Sequence, residues 1–363
     1  MCDIKFDDLG PQKVLYLYSP KADLKAFVVV DNTALGPSIG GVRVSQSVTV
    51  KEVMRLARTM TLKNSISGIP HGGGKAGIIA DPRDRNKEHY FRIFARQIRE
   101  LHEYIPGPDM GSDEECMAWV HDETGRAVGL PQEIGGLPLD KIGATGFGLA
   151  ECAEVACPFA GITLKGAKVA IQGFGSVGKA TAMFLSEKGA VVVAASDTKG
   201  TIYNASGIDI KELIEVKNAT GSVINYKNGT KKKTEDIFSS DCEILIPAAT
   251  PDVINKENVN LIKAGLILQG ANIPATMDAE EILHHKGILS IPDFIANAGG
   301  VIMAAMEYAK KIEKEAFDAI STRIKSNTKL ILEKSRSEKI LPRQAAVEIA
   351  KERVLEAMKY REY

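Results

Sequence analysis

The segment Ala167-Lys-Val-Ala-Ile-Gln-Gly-Phe-Gly-Ser-Val-Gly178 constrains this chain more than any other. Lys168–Gln172 reads as a strand and Ser176–Lys188 as a helix, with Gly-x-Gly-x-x-Gly between them, a context in which each glycine has its own task. Gly173 permits a tight turn, Gly175 lets the backbone approach a pyrophosphate, and Gly178 lets helix and strand pack closely. The free amides of the helix start, reached through Phe174, Ser176 and Val177, attract phosphates. Nineteen residues beyond Gly178 stands Asp197, at the end of the next apolar run. A carboxylate there can accept both hydroxyls of an adenosine ribose and repel a 2′-phosphate, which favours NAD. Thr198 and Lys199 could hold that phosphate, which keeps NADP open.

The fingerprint lies in a regular alternation. Strands at Val191–Ser196, Glu243–Pro247, Leu266–Gly270 and Ile288–Ile291, with a helix at Ile208–Val216, imply βαβ units and a parallel sheet covered on both faces. The pattern changes near residue 140, after the turn-rich run at 129–138. Before it, Ala26–Val30 reads as a buried strand and Val50–Ser67 as an amphipathic helix. His71–Gly77 reads as a glycine-rich loop leading into a short strand at Ile78–Ala80. The tail from Asn297 is helix-forming, with a break at Leu341-Pro342.

A length of 363 residues suits two domains, and 44% apolar with 25% charged residues excludes a disordered or fibrous chain. Forty-six basic side chains balance forty-six acidic ones, so no global field draws in nucleic acid or a membrane surface, and the expected partner is a small molecule. The five cysteines (Cys2, Cys116, Cys152, Cys157, Cys242) lack metal spacing and suit a reducing compartment. His71, His102, His121, His284 and His285 also lack metal spacing, so no metal is expected. The start Met-Cys-Asp-Ile-Lys-Phe has no secretory pattern and no run is long enough to span a membrane, so a cytoplasmic protein is expected. The triple lysine at 231–233 reads as a solvated loop.

Lys63 and Lys75 flank a stretch rich in Gly, Ile and Ala, an unusual setting for lysine. Were the two ammonium groups to converge in a cleft, desolvation and repulsion would favour losing a proton from one, which could then serve as a base. Three consecutive glycines, Gly72 to Gly74, would let a substrate lie against the backbone. Asp109, on the turn Ile105-Pro-Gly-Pro-Asp-Met-Gly111, could relay protons. On composition alone, two surface lysines and a turn aspartate remain the plainer account.

Nine blocks together resemble the superfamily of glutamate, leucine, phenylalanine and valine dehydrogenases, in the family's order and over nearly the whole chain. They are Leu35–Arg43 (Leu-Gly-Pro-Ser-Ile-Gly-Gly-Val-Arg), Lys63-Asn-Ser, Gly72–Lys75, Pro108-Asp109, Ala144-Thr-Gly146, Gly173–Gly178, Pro247-Ala-Ala249, Gly270-Ala-Asn272 and Asn297-Ala-Gly-Gly300. The resemblance implies an α/β protein of two domains with the active site in the cleft between them. Residues 1–138 would be the substrate and oligomerisation domain, 139–324 a dinucleotide-binding Rossmann domain, and the helices of 325–363 would return to the first. It also implies a homo-oligomer, and reversible oxidative deamination of an L-amino acid to a 2-oxo acid and ammonia. By matching motif, Lys63 would bind the substrate α-carboxylate, Lys75 would activate water and Asp109 would pass protons to and from the substrate nitrogen. Thr145 and Asn272 would face the nicotinamide, with Ala248, Ala249 and Asn297 also on the nucleotide side.

Departures from the glutamate pattern bear on the side chain. Ile39 stands where glutamate enzymes place lysine, Ala304 where they place serine, and Met60 where glutamine is common. Burying a carboxylate against these would cost several kcal/mol, whereas an apolar side chain would gain. The expected branch is therefore the leucine, valine and phenylalanine one, with Gly40, Gly41, Gly107 and Val301 also around the substrate. Gly107 would widen the pocket or merely serve a turn. A glutamate dehydrogenase with a rebuilt pocket, and a nucleotide-binding regulatory protein without chemistry, are the alternatives.

Overall fold

The computed structural model describes residues 6–139 and 141–361; Cys2 and the rest of the N-terminal Met-Cys-Asp-Ile-Lys stretch fall outside them. Two compact units form. One takes residues up to Ile142, Val301–Ala319 and Val347 onward; the other takes Gly143–Gly300 and Ile320–Ala346.

The first unit is built on β1 (Lys13–Ser19), β2 (Leu24–Asn32), β3 (Ser38–Val44), α1 (Val50–Ile66), β4 (Gly72–Ile78), α2 (Lys87–Gln97), β5 (Tyr104–Pro108) and α3 (Glu114–Thr124). Its sheet runs β1-β2-β4-β3-β5, with β1, β2 and β4 pairing antiparallel and β3 parallel to both β4 and β5. Thr49 caps α1, its hydroxyl accepting from the Glu52 amide, and Val53 and Ala57 of that helix pack on Val29. On the opposite face Phe91 and Phe94 of α2 and Met117 and Val120 of α3 cover Val28, Val42, Ala76 and Ile78.

The glycine run corrects the sequence reading. Residues 72–78 are not a loop before a strand but are themselves the strand β4, buried throughout. A Cβ on Gly73 would lie 2.0 Å from the backbone nitrogen of Thr61 in α1, and one on Gly72 would lie 1.8 Å from the Asn32 carbonyl oxygen. Helix and neighbouring strand thus occupy the space side chains would need, and a strand with apolar side chains only at Ala76 and Ile78 shows almost no period to read.

In the second unit α4 (Ala144–Phe159) precedes β6 (Lys168–Gln172), α5 (Ser176–Glu187), β7 (Val191–Asp197), β8 (Gly200–Tyr203), α6 (Ile210–Thr220), β9 (Thr230–Lys232), β10 (Ile244–Pro247), β11 (Leu266–Leu268), α7 (Met277–His285), β12 (Leu289–Ile291) and α8 (Asp293–Ala296). The sheet order is β12-β11-β10-β6-β7-β8-β9. The first five strands are parallel, and the near-continuous apolar strands that betrayed them are those of a sheet buried on both faces. The last two are antiparallel, which the sequence reading missed, and Lys231 and Lys232 lie exposed on the edge strand β9 rather than in a loop. Charges on an edge strand discourage pairing with another chain.

Three helices complete the chain: α9 (Gly299–Tyr308), α10 (Glu313–Glu338) and α11 (Pro342–Met358), the last starting at the expected proline break. Among the described residues no helix is long and apolar enough to cross a membrane.

Candidate active site

In the first unit the sheet gathers charged groups. Lys75 on β4 is buried, and its Nζ lies 3.0 Å from Oδ2 of Asp109, the residue immediately after β5. Arg43 on β3 donates from Nε to the same oxygen at 2.9 Å and from Nη1 to Glu52 Oε1 on α1 at 2.6 Å. Asp109 is therefore no isolated turn residue. Its amide donates to Ser112 Oγ, whose hydroxyl reaches the Val42 carbonyl at 2.7 Å. Burial alone would raise the Asp109 pKa; Lys75 and Arg43 outweigh it and hold the carboxyl below its ordinary value. Lys63 is buried in the last turn of α1, and Met60 is half-buried one turn before it.

The glycines beside this cluster serve close packing. A Cβ on Gly40 would sit 1.6 Å from the Gly74 carbonyl oxygen, and one on Gly41 would sit 2.6 Å from Cβ of Asp109. Gly107 lies within β5 opposite Gly41, so the turn explanation for it fails; an added Cβ would press on Val128 at 3.1 Å. Val128 belongs to an apolar cluster with Ile39, Ile105 and Ala304, closed by Leu139. Two of the three positions that depart from the glutamate pattern thus meet in one apolar patch. Val301 is half-buried on α9, one turn before Ala304.

One turn beyond Ala304, buried Glu307 accepts from the amides of Gly129 at 2.6 Å and Leu130 at 3.0 Å. Burial lifts its pKa, although those amides pull the other way. It ties the segment holding Val128 to the helix holding Ala304. The sequence reading missed this residue, as it missed Ile105, Val128 and Leu139, because the contacts join distant stretches; only the spacing of Val301, Ala304 and Glu307 on one helical face was available as a signal. Arg43 was visible only as the last letter of a block.

In the second unit a groove of about 490 Å³ is lined by Gly173, Phe174, Gly175, Asp197, Thr198, Ala248 and Ala249, among others. Gly173 has φ +93°, which favours glycine, and a Cβ there would meet Ala249 at 2.6 Å. A Cβ on Gly175 would meet nothing within 4 Å, so the backbone lies open to a ligand; one on Gly178 would strike the Gly173 carbonyl oxygen at 2.1 Å. With Ser176 and Val177 starting α5, these residues fit the pyrophosphate of a dinucleotide.

Asp197 departs from expectation. Its Oδ1 accepts from the Lys199 amide at 2.9 Å and Ser222 Oγ at 3.1 Å, its Oδ2 from Lys217 Nζ at 2.7 Å and the Val223 amide at 2.8 Å. Burial raises its pKa, but Lys217, the two amides and Ser222 together bring it below the ordinary value. The carboxylate is already held within the protein and its charge is matched by Lys217. Asn297 is buried and donates to the carbonyls of Gly270 and Ala271 and to Oδ1 of exposed Asn272. Thr145 lies half-buried at the start of α4, 3.2 Å from where a Cβ on Gly300 would sit.

Residues 135–362 match the profile of the Glutamate/Leucine/Phenylalanine/Valine dehydrogenase family, and residues 13–126 match its dimerisation domain. A glutamate dehydrogenase of Aeropyrum pernix is 42% identical over 91% of this chain and 85% of its own. An NADP-specific glutamate dehydrogenase of Saccharolobus shibatae is 44% identical over 77% of this chain and 69% of its own. Among solved structures, the leucine-bound hetero-hexameric glutamate dehydrogenase of Thermus thermophilus superposes with a TM-score of 0.87 at 28% identity, covering 97% of this chain and 90% of its own. The L-tryptophan dehydrogenase of Nostoc punctiforme superposes with a TM-score of 0.75 at 27% identity, covering 97% and 98%. The chain belongs to the Glu/Leu/Phe/Val dehydrogenase family. It is an amino acid dehydrogenase, an oxidoreductase acting on CH–NH2 donors.

Proposed function

We propose that this enzyme deaminates an L-amino acid with an apolar side chain, reversibly, to the 2-oxo acid and ammonia. The observation that carries the side-chain reading is that Ile39 and Ala304, which stand where the resemblance places the lysine and serine of glutamate enzymes, meet in one buried apolar cluster with Ile105 and Val128. An aliphatic or aromatic group against it gains about 25 cal/mol for each Å² buried, whereas an unpaired carboxylate loses several kcal/mol. The relatives favour a second reading, glutamate, since those 42% and 44% identical are named for it. Overall identity follows descent, while side-chain preference follows the few residues that touch the side chain.

A nicotinamide, when bound, accepts the hydride from the substrate Cα. Lys63 would bind the α-carboxylate. Asp109, with Oδ2 occupied by two cations, would offer Oδ1 to the substrate nitrogen and carry its protons. Lys75 would deprotonate the water that attacks the imine. We also propose that NADP serves as well as NAD. The charge of the ionised Asp197 is balanced by Lys217, which lessens its repulsion of a 2′-phosphate, and Thr198 and Thr234 line the same groove; an NADP-specific relative supports this reading. A homo-oligomer is proposed from the dimerisation-domain match, and a reducing cytoplasm from the free, buried thiols of Cys116, Cys152, Cys157 and Cys242.

The test is the rate of reduced-nucleotide formation at alkaline pH with L-leucine, L-valine, L-phenylalanine, L-tryptophan and L-glutamate, each with NAD and with NADP. Turnover of apolar members with both nucleotides is expected. Turnover of glutamate alone establishes the second reading, and strict dependence on NAD would overturn the account of Asp197.

A further inference from the structure

Resting on that reading of the reaction, we infer that Arg43 is a positioning residue for Asp109, holding Oδ2 so that the carboxylate stays ionised with Oδ1 turned to the substrate nitrogen. Three features of the geometry lead there. The guanidinium is held at both ends, Nε on Asp109 at 2.9 Å and Nη1 on Glu52 at 2.6 Å, with only 16% of the side chain exposed. Such a planar fork is rigid, and it stays charged where an ammonium can lose its proton. The carboxylate is also pinned from behind, because Ser112 holds its backbone, and Gly41 on β3 leaves room for its Cβ where any larger residue would not.

The need for a second cation follows from the work assigned to Lys75. In the proposed reaction Lys75 changes charge, so by itself it would support an ionised Asp109 in only part of the cycle. Arg43 does not change charge. The remaining group near Asp109, the buried phenol of Tyr104 on β5, donates to the Gly40 carbonyl and is held neutral by burial, with the Asp109 charge adding to that effect. Among the described residues the charged and titratable groups facing Asp109 are thus Lys75 from β4, Arg43 from β3 and Tyr104 from β5, and Arg43 is the one cation whose charge is constant.

The experiment compares carbon-13 NMR titrations of the Asp109 carboxyl, together with kcat and KM for oxidative deamination, in wild type, Arg43→Gln and Arg43→Lys. An opposite charge at this distance lowers a carboxyl pKa by about one to three units. Arg43→Gln is therefore expected to move the Asp109 titration up by at least about one pH unit and to lower kcat. Arg43→Lys keeps a cation but cannot hold both Asp109 and Glu52, so it should move the titration by less and lower kcat more than it raises KM. Reduced-nucleotide binding, followed by fluorescence, should match wild type in both. An unmoved Asp109 titration in Arg43→Gln, or an equal shift in both variants, overturns the inference; should Arg43→Gln not fold, wild-type kcat and Asp109 titration in Arg43→Lys overturn it. If wild type oxidises no amino acid of the panel, the proposed function fails first, and the NMR titration, which requires no turnover, decides alone.

Discussion

Two glycine-rich segments of this enzyme use the same residue to opposite ends. In Gly173–Gly178 two glycines serve close packing, but the middle one, Gly175, keeps a groove open and stands free of any neighbour within 4 Å. At Gly72 and Gly73 no such space exists, for β4 lies so close under α1 and beside β2 that a single methyl would overlap backbone atoms. At Gly175 the missing side chain is space for a ligand; in the second segment it is space already taken by the protein. That tight packing sets Lys75 at its buried position on β4, so the catalytic role proposed for the second segment depends on its rigidity, and that of the first on its openness.

Replacing Lys75 separates chemistry from nucleotide binding most sharply. Lys75→Ala should lower kcat by about 10²- to 10⁴-fold while leaving reduced-nucleotide affinity unchanged, because it deletes a base in one unit and no contact in the other. Near wild-type turnover in steady-state kinetics would remove Lys75 from the mechanism. Next in size, Gly73→Ala should cost at least about 3 kcal/mol in urea denaturation, since Thr61 presents backbone rather than a yielding side chain. Its counterpart Gly175→Ala should change stability by less than about 0.5 kcal/mol yet weaken nucleotide binding by about tenfold or more, as judged by fluorescence titration. Equal effects of the two alanines on stability would erase the contrast drawn here.

The smallest expected effect is on pH dependence. Asp109 and Asp197 have folded-state pKa values below their unfolded ones, so each contributes stability that is complete above the unfolded carboxyl value, about 4, and is lost as pH falls through the lower folded value. The urea midpoint should therefore drop below about pH 4, and Asp109→Asn should make that drop smaller. A midpoint that rises on acidification would contradict both assignments.

How far these features could be read in advance differs between the segments for the same reason. The strands β6, β7 and β10 and the helices α1 and α5 carry their periodicity in apolar side chains, which local inspection detects. Strand β4 has glycine at four of its seven positions and carries almost no such signal, so it read as a loop. Lys75 and Asp109 were recognised as candidates through their motifs, whereas Arg43 and Glu307 were not singled out, because their partners are Glu52 and Asp109 in one case and Gly129 and Leu130 in the other.

Asp197 makes the division plain. Its residue type and its place at the end of β7 were settled by the local order of strand, turn and helix, as were the dinucleotide fingerprint, the family and the apolar identity of Ile39 and Ala304. Which groups its carboxylate would meet was settled by the fold, through Lys217, Ser222 and Val223, residues brought to it by the packing of α6 and the loop after it. Short-range preferences act between neighbours in the chain and so are written there; the charge state and reach of a buried group depend on what the fold brings within a few ångströms, and that is decided only when distant segments have paid the entropy of meeting.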